Sequence, residues 1–346
     1  MSHAWNENRI LTHLPAARQL YSAYTDDSKP FPPPRFISCW VSEKCNLDCT
    51  YCFFSDTNHD KSHLYIDTHK FLSWLSAMRE FGAEALEFSG GGEPTLHPDF
   101  RMIYEHAKNM MGYQLGIITH GCNDMPLLSM ADNFNYIRIG LDAATAGTHD
   151  AIKRNKRKNY WFDKAIENIQ ELVEIRESAG QRKFTVGIKI ILNQINFHEL
   201  DKMIDLARTL RVNYIQIKRE HSSDNDLSQD QIFQAEDVIK RASRLIHQTQ
   251  VKGTMFHARA TTGCFMSPIH TVVTATGKIL QCCFFEDRPI GTIFQPIAEV
   301  WGGAEHRRVM RRTTIQECDK IDCRWNGYNS RMKEMIEDPL AQASFI

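Results

Sequence analysis

The chain has 346 residues, with 41 Lys and Arg against 42 Asp and Glu and a formal net charge of −1, a balance with no global bias toward nucleic acid. Its 10 Cys are too sparse and too clustered for a disulfide-stapled secreted domain, no run nears the roughly 20 apolar residues of a membrane span, and residues 1–15 lack the apolar core and cleavage pattern of a signal peptide. A soluble cytoplasmic protein with no membrane or nucleic-acid partner is expected, long enough for two domains of ordinary size.

Residues 1–34 read as an N-terminal arm, with Lys29-Pro30-Phe31-Pro32-Pro33-Pro34 stiff and extended. A strand pattern at 35–41 leads into Cys45-Asn46-Leu47-Asp48-Cys49-Thr50-Tyr51-Cys52. Spacings of three and then two residues gather three thiolates around one small volume and offer no fourth ligand nearby, as in a soft-metal site with one corner open. Closed structural zinc sites use four protein ligands, whereas a catalytic site withholds one. Strand patterns recur at 85–88, 114–119, 136–141, 184–192 and 214–218, separated by helical spacing at 68–81, 162–175 and 198–210. This alternation argues for parallel βα units. Strand 85–88 runs into Ser89-Gly90-Gly91-Gly92-Glu93-Pro94-Thr95, where glycines permit close backbone approach to a ligand and an acidic side chain suits a cation.

Cys-x3-Cys-x2-Cys with Tyr51 before the third Cys resembles the signature of the radical S-adenosylmethionine (radical SAM) enzymes, and Gly91-Gly92-Glu93 resembles that family's Gly-Gly-Glu motif. The resemblance implies an α/β fold, a partial (β/α)6 barrel over 35–225, with the site at the C-terminal ends of the strands. It implies that Cys45, Cys49 and Cys52 hold a [4Fe-4S] cluster whose fourth iron takes the amino and carboxylate groups of S-adenosylmethionine. Electron transfer from the cluster then releases methionine and a 5′-deoxyadenosyl radical that abstracts a hydrogen atom, with a flavodoxin- or ferredoxin-type reductant as partner. Carried over to this sequence, the cofactor-binding candidates are Tyr51, Gly91, Gly92, Glu93, Asp142, Lys189 and Asn193. Asp142, after strand 136–141, reads equally as a helix N-cap for the residues from 143. Lys189 needs a polar partner if it points inward, and packs its stem against a helix if it points outward. Cys122, at the end of the third strand, is the candidate hydrogen donor if the reaction is an epimerisation, and otherwise an ordinary buried thiol.

Residues 226–255 read as a linker with a helix at 229–247, and 256–346 as a small α+β domain. Cys264, twelve residues, Gly277, four residues and Cys282 resemble the hairpin entry of the SPASM and twitch extensions, which hold auxiliary [4Fe-4S] clusters. The resemblance gives Cys264, Cys282, Cys318 and Cys323 as ligands of one auxiliary cluster, with Cys283 able to replace Cys282. A zinc site on the same thiolates stays open as the alternative. Two basic runs, Lys153-Arg154 with Lys156-Arg157-Lys158, and Arg307-Arg308 with Arg311-Arg312, read as solvated surface before phosphate or nucleic-acid contacts. The expected reaction is oxidation or epimerisation of a small, anionic, sugar-, aminocyclitol- or nucleotide-like molecule. The alternatives are modification of a ribosomal peptide or protein, for which the arm is too short to hold a winged-helix recognition element, and a non-catalytic iron-sulfur electron carrier or metal-stabilised binding module.

Overall fold

The computed structural model describes residues 14–54, 64–154, 160–178, 184–220, 225–256, 259–320, 323 and 325–337. In chain order its elements are α1 (Leu14–Thr25), β1 (Phe36–Cys39), α2 (Thr68–Phe81), β2 (Ala85–Phe88), α3 (Phe100–Asn109), β3 (Gln114–Thr119), α4 (Leu127–Asn133), β4 (Tyr136–Gly140), α5 (Ala146–Lys153), α6 (Tyr160–Ser178), β5 (Thr185–Leu192), α7 (Leu200–Thr209), β6 (Tyr214–Arg219), α8 (Gln229–Arg244) and β7 (Gln250–Gly253). They continue as β8 (His270–Val273), β9 (Lys278–Leu280), β10 (Pro289–Thr292), α9 (Ile297–Val300), α10 (Ala304–Arg312), α11 (Ile315–Lys320) and α12 (Asn326–Glu337). Among the described residues, no helix is long and apolar enough to cross a membrane.

The chain forms two compact units. One comprises Cys39–Ile66 and Leu86–Phe256. Its strands run in the order β2-β3-β4-β5-β6-β7, and the pairs from β3 to β7 are parallel. This is an α/β sheet that ends at β7 without closing, a partial barrel. Alternation along the strands separates its two faces. Ile137 and Ile139, Val186, Ile188 and Ile190, and Ile215 and Ile217 are buried on one face, where each side chain contributes about 1.5–3 kcal/mol when removed from water. Tyr136, Arg138 and Gly140, Lys189, and Tyr214 and Gln216 alternate with them on the other.

One helix read as linker and one strand without a pattern complete this unit. The helix expected in a linker, α8, is held by a capping box between Ser228 and Gln231, buries Ile232, Ala235 and Ile239, and leads into β7, which pairs parallel to β6. The four residues Gln-Val-Lys-Gly carry too little alternation to announce a strand. The polar run at 221–224 lies outside the described residues.

The other unit comprises Met1–Ser38, Asp67–Ala85 and His257–Ile346. Its strand order is β10-β9-β8-β1, with β8, β9 and β10 an antiparallel meander. Helix α2, N-capped by Asp67, buries Phe71, Trp74, Leu75 and Met78 in this unit, so the unit boundaries cut across the sequence divisions at 34 and 225. The arm contains a helix, α1, before its extended prolines. The second basic run fastens that arm. Arg307 donates to the carbonyls of Ala23 at 2.9 Å and Lys29 at 2.6 Å, its guanidinium lies 4.5 Å from the Phe31 ring centre, and Arg311 pairs with Asp27. The Trp301 indole donates to the Pro32 carbonyl at 2.7 Å.

His306 lies fully buried between Phe31 and Trp301, and its Nδ1 accepts from the Gly302 amide at 3.1 Å. Burial, with Arg307 adding to it, pushes its pKa down to about 3. The unfolded chain, with an ordinary imidazole, binds the proton more readily, so this contribution is complete above pH 6.5 and is lost as pH falls. At pH 5 the loss amounts to roughly 2 kcal/mol. Urea unfolding at pH 7 and pH 5 should show a smaller pH dependence in His306→Gln than in the unsubstituted protein; equal dependence would count against a buried neutral His306.

Candidate active site

The three cysteines of the first motif lie on the loop between β1 and α2, fixed to the sheet unit at several points. The Cys52 amide donates to the Cys49 carbonyl at 3.0 Å, closing the turn. The Asp48 and Thr50 amides donate to the carbonyls of Lys153 and Ile152 at 3.3 and 2.9 Å, using carbonyls that the last turn of α5 cannot satisfy itself. Asn46 accepts from His120 Nε2 at 2.8 Å and donates to Asn123 at 2.9 Å. Since His120 Nδ1 accepts from the Cys122 amide, the imidazole is the neutral tautomer with its proton on Nε2. Burial holds its pKa below the ordinary value, against Glu93.

The glycine loop after β2 closes over the cysteine loop. The Gly92 amide donates to Ser42 O at 2.6 Å and the Glu93 amide to Lys44 O at 2.9 Å. A Cβ on Gly92 would sit 2.3 Å from Lys44 O, so only glycine permits this approach. Glu93 is buried, and its carboxylate accepts from the Thr95 amide and hydroxyl at 3.1 and 2.7 Å, the Thr119 hydroxyl at 2.6 Å and the His120 amide at 3.0 Å. Glu93 thus ties the end of β3 to the glycine loop, and the main chain of that loop lines the adjoining cleft.

Asp142, directly after β4, is 1% exposed. Its Oδ2 accepts from Tyr51 and from Lys153 Nζ, each at 2.5 Å, and its Oδ1 accepts from the Ile191 amide at 2.6 Å. Burial alone would raise the carboxyl, but Lys153 and these donors hold it below its usual range; burial would lower Lys153, and Asp142 holds it well above. Both groups are therefore charged at neutral pH. Asp142 does not cap a helix: α5 starts at Ala146, and the Glu199 carboxylate accepts from the Ala144 and Thr145 amides before it. Lys153 is the residue that sequence reading misses, hidden in a basic run read as surface. Its signal is the helical spacing of His149, Ile152 and Lys153, all buried on one side of α5. Lys156, Arg157 and Lys158 lie outside the described residues.

Cys45, Cys49, Tyr51, Cys52, Gly91, Gly92, Glu93, Asp142 and Lys189 all line one cleft of about 390 Å³. Asn193 and Cys122 do not line it. Asn193 is fully buried, donates to Glu220 Oε2 at 2.6 Å and accepts from the Ile195 amide, organising the turn after β5. The Cys122 thiol donates to the His120 carbonyl at 3.2 Å, and burial pushes its pKa up to about 12. Burial likewise raises the Cys49 thiol, with Lys153 opposing. Thiols this reluctant to ionise lose their protons to a bound metal, and Lys153 beside Cys49 offsets the charge of a thiolate cluster. Three cysteines sharing one cleft with the glycine wall supply the soft donor set of a cluster with three protein ligands.

In the other unit, Cys264, Cys282, Cys283, Cys318 and Cys323 line a second cavity. Cys264 Sγ accepts from the Ser267 amide at 3.2 Å and from Asn329 Nδ2 at 3.7 Å, and Cys323 Sγ accepts from the Trp325 amide at 3.4 Å. Burial raises Cys264 and pushes Cys318 to about 11; the Cys283 thiol, hydrogen-bonded to Cys282, raises the latter well above its ordinary value. Buried Gln281 Oε1 and Asn326 Nδ2 in the same lining have no hydrogen-bond partner. Among the described residues, no three His, Cys, Asp or Glu side chains converge to hold a single metal ion.

Residues 41–207 match the model of the Radical SAM superfamily. The chain is 26% identical over 180 residues to the tungsten-containing aldehyde ferredoxin oxidoreductase cofactor-modifying protein of Pyrococcus furiosus, covering 51% of this chain and 48% of that one. It is 34% identical over 185 residues to an S-adenosylmethionine-dependent nucleotide dehydratase of Selenomonas ruminantium, covering 50% and 63%. The chain spans about half the length of the first of these. The fold resembles that of SuiB from Streptococcus suis, solved with S-adenosylmethionine, at a TM-score of 0.68 and 11% identity over 90% of this chain and 75% of that one; SuiB with its precursor peptide SuiA gives 0.65, at 11% identity over 90% and 74%.

Lys153→Met leaves Asp142 charged and buried without its cation, so it should destabilise the protein by about 3–5 kcal/mol. In urea unfolding, Asp142→Asn with Lys153→Met should lose less than the two single losses combined. Additive losses would mean that the two groups do not act as a pair.

Proposed function

From the premise that this chain is a member of the Radical SAM superfamily, a family of enzymes that use a [4Fe-4S] cluster and S-adenosylmethionine, we propose that it oxidises or epimerises a small sugar-, aminocyclitol- or nucleotide-like molecule. When bound, cluster and cosubstrate supply the 5′-deoxyadenosyl radical that takes a hydrogen atom. The observation that carries the reading is the meeting of Cys45, Cys49 and Cys52 with the glycine loop, Asp142 and Lys189 in one cleft.

The protein's own part is to hold and enclose. Cys45, Cys49 and Cys52 are the cluster ligands, and Tyr51 is fixed by Asp142 and Lys153 against the end of β4. The main chain at Gly91 and Gly92 borders the position of the methionine end, while Glu93, fully engaged with protein donors, keeps that wall in place. Lys189 brings a cation into the same cleft. Asn193 and Cys122 support the surrounding turns. The C-terminal thiols, Cys264, Cys282, Cys318 and Cys323, are proposed to hold an auxiliary [4Fe-4S] cluster able to accept the second electron of an oxidation. The nucleotide named for the Selenomonas ruminantium relative favours a small anionic substrate. Peptide modification is the second reading, favoured by the precursor peptide in the SuiB structure.

With dithionite, S-adenosylmethionine and deuterated candidate substrates, deuterium should enter 5′-deoxyadenosine from a sugar, aminocyclitol or nucleotide. Transfer from a peptide alone would replace this reading with the second. Cys264→Ala with Cys318→Ala should remove about four irons per chain and leave cleavage of S-adenosylmethionine intact; unchanged iron with loss of zinc would make the C-terminal cavity a zinc site.

A further inference from the structure

We propose that Lys189, Gln216 and Lys252 form a subsite for a phosphate group of the substrate, on the sheet face that carries the cysteine cleft; this rests on the small-molecule reading above. The parallel register places Gly140 beside Lys189, Lys189 beside Gln216, and Gln216 beside Lys252. Register partners in a parallel sheet project to the same face, so these four residues form one row across β4 to β7. Gly140 and Lys189 already line the cleft. Gln216 and Lys252 continue that row on the next two strands.

The next row shows how this floor is held. Arg138, Gly187 and Tyr214 are register neighbours. A Cβ on Gly187 would lie 2.2 Å from the Tyr214 ring, so the missing side chain is what lets that ring lie across β5. The Tyr214 hydroxyl accepts from Arg138 Nε at 3.0 Å, and Lys252 Nζ lies 4.5 Å from the ring centre. The Tyr136 hydroxyl donates a hydrogen bond to the Glu87 carboxylate. Among the described residues, this row and the next carry Arg138, Lys189 and Lys252. Gln216 is 8% exposed and its Oε1 has no hydrogen-bond partner, a buried acceptor that a ligand donor would satisfy.

Neighbouring strands lie about 4.8 Å apart, so Lys189 and Lys252, on either side of β6, straddle Gln216 with backbones about 10 Å apart. Two ammonium groups are point charges suited to a dianionic phosphate, whereas a carboxylate is best matched by the planar fork of Arg. The Arg138 fork is partly committed to Tyr214. Gln216 between the lysines can accept a hydroxyl from the same ligand, which points to a phosphorylated polyol or sugar.

The test is calorimetric titration of the reconstituted full chain, with S-adenosylmethionine present, using ribose 5-phosphate, ribose and glutamate as probes. Ribose 5-phosphate should bind and ribose should not. Lys252→Met and Gln216→Leu, checked for an unchanged melting temperature, should each weaken binding about tenfold, as expected for loss of one charge-assisted or buried hydrogen bond. No binding of ribose 5-phosphate, or equal binding by both variants, overturns the subsite. Glutamate binding as tightly as ribose 5-phosphate makes it a carboxylate or acidic-peptide site instead. Deuterium transfer into 5′-deoxyadenosine separates the two levels: if it comes from a sugar, aminocyclitol or nucleotide while the titration fails, only the subsite is lost, and if it comes from a peptide alone, the small-molecule reading fails.

Discussion

The buried pair of Asp142 and Lys153 is the constraint on which the sheet unit's site depends. Two charges removed from water survive only when each finds the other and their remaining hydrogen-bonding capacity is met. Here Tyr51, the Ile191 amide and the two groups themselves meet it. The arrangement couples the cysteine loop, through Tyr51, to two parts of the chain remote from it in sequence: the end of β4 through Asp142 and the last turn of α5 through Lys153. The same turn offers the Ile152 and Lys153 carbonyls to the loop amides. The cysteine loop is thus set by a charge pair and a helix terminus together.

A parallel economy operates at the glycine loop and along the sheet. Glu93 spends its carboxylate on Thr95, Thr119 and His120, so rigidity of the ligand wall comes from a buried acid while the wall itself is main chain. Further along the same sheet face, Tyr214 plays the corresponding role for Arg138 and Lys252. The cleft is apolar behind and charged in front because side chains alternate along every strand.

Much of this was legible in the sequence wherever the signal is local. The strands at 85–88 and 114–119 and the helix at 68–81 match the structure in their bounds, since each combines clear periodicity with a distinct start or stop. The cysteine spacing and the glycine run directed attention to residues that line one cleft. What stayed hidden depends on distant partners. Lys153 sits in a run of five basic residues, and its pairing with Asp142, eleven positions earlier, is not announced by the composition of that run. Arg307 looked like solvated surface, yet its partners are carbonyls 284 and 278 positions away in the arm. Strand β7 is defined by pairing with β6 and has no pattern of its own. Asn193 has the composition of a ligand contact, and its burial in a turn is visible only in three dimensions.

The central claim is that Cys45, Cys49 and Cys52 serve reductive cleavage of S-adenosylmethionine. Its most direct test is 5′-deoxyadenosine formation by the anaerobically reconstituted chain with dithionite, compared with the variant in which all three cysteines are Ala. The account predicts formation by the unsubstituted protein and none by the variant. Equal formation by both, or none by a chain that has taken up its full iron and its substrate, would contradict it.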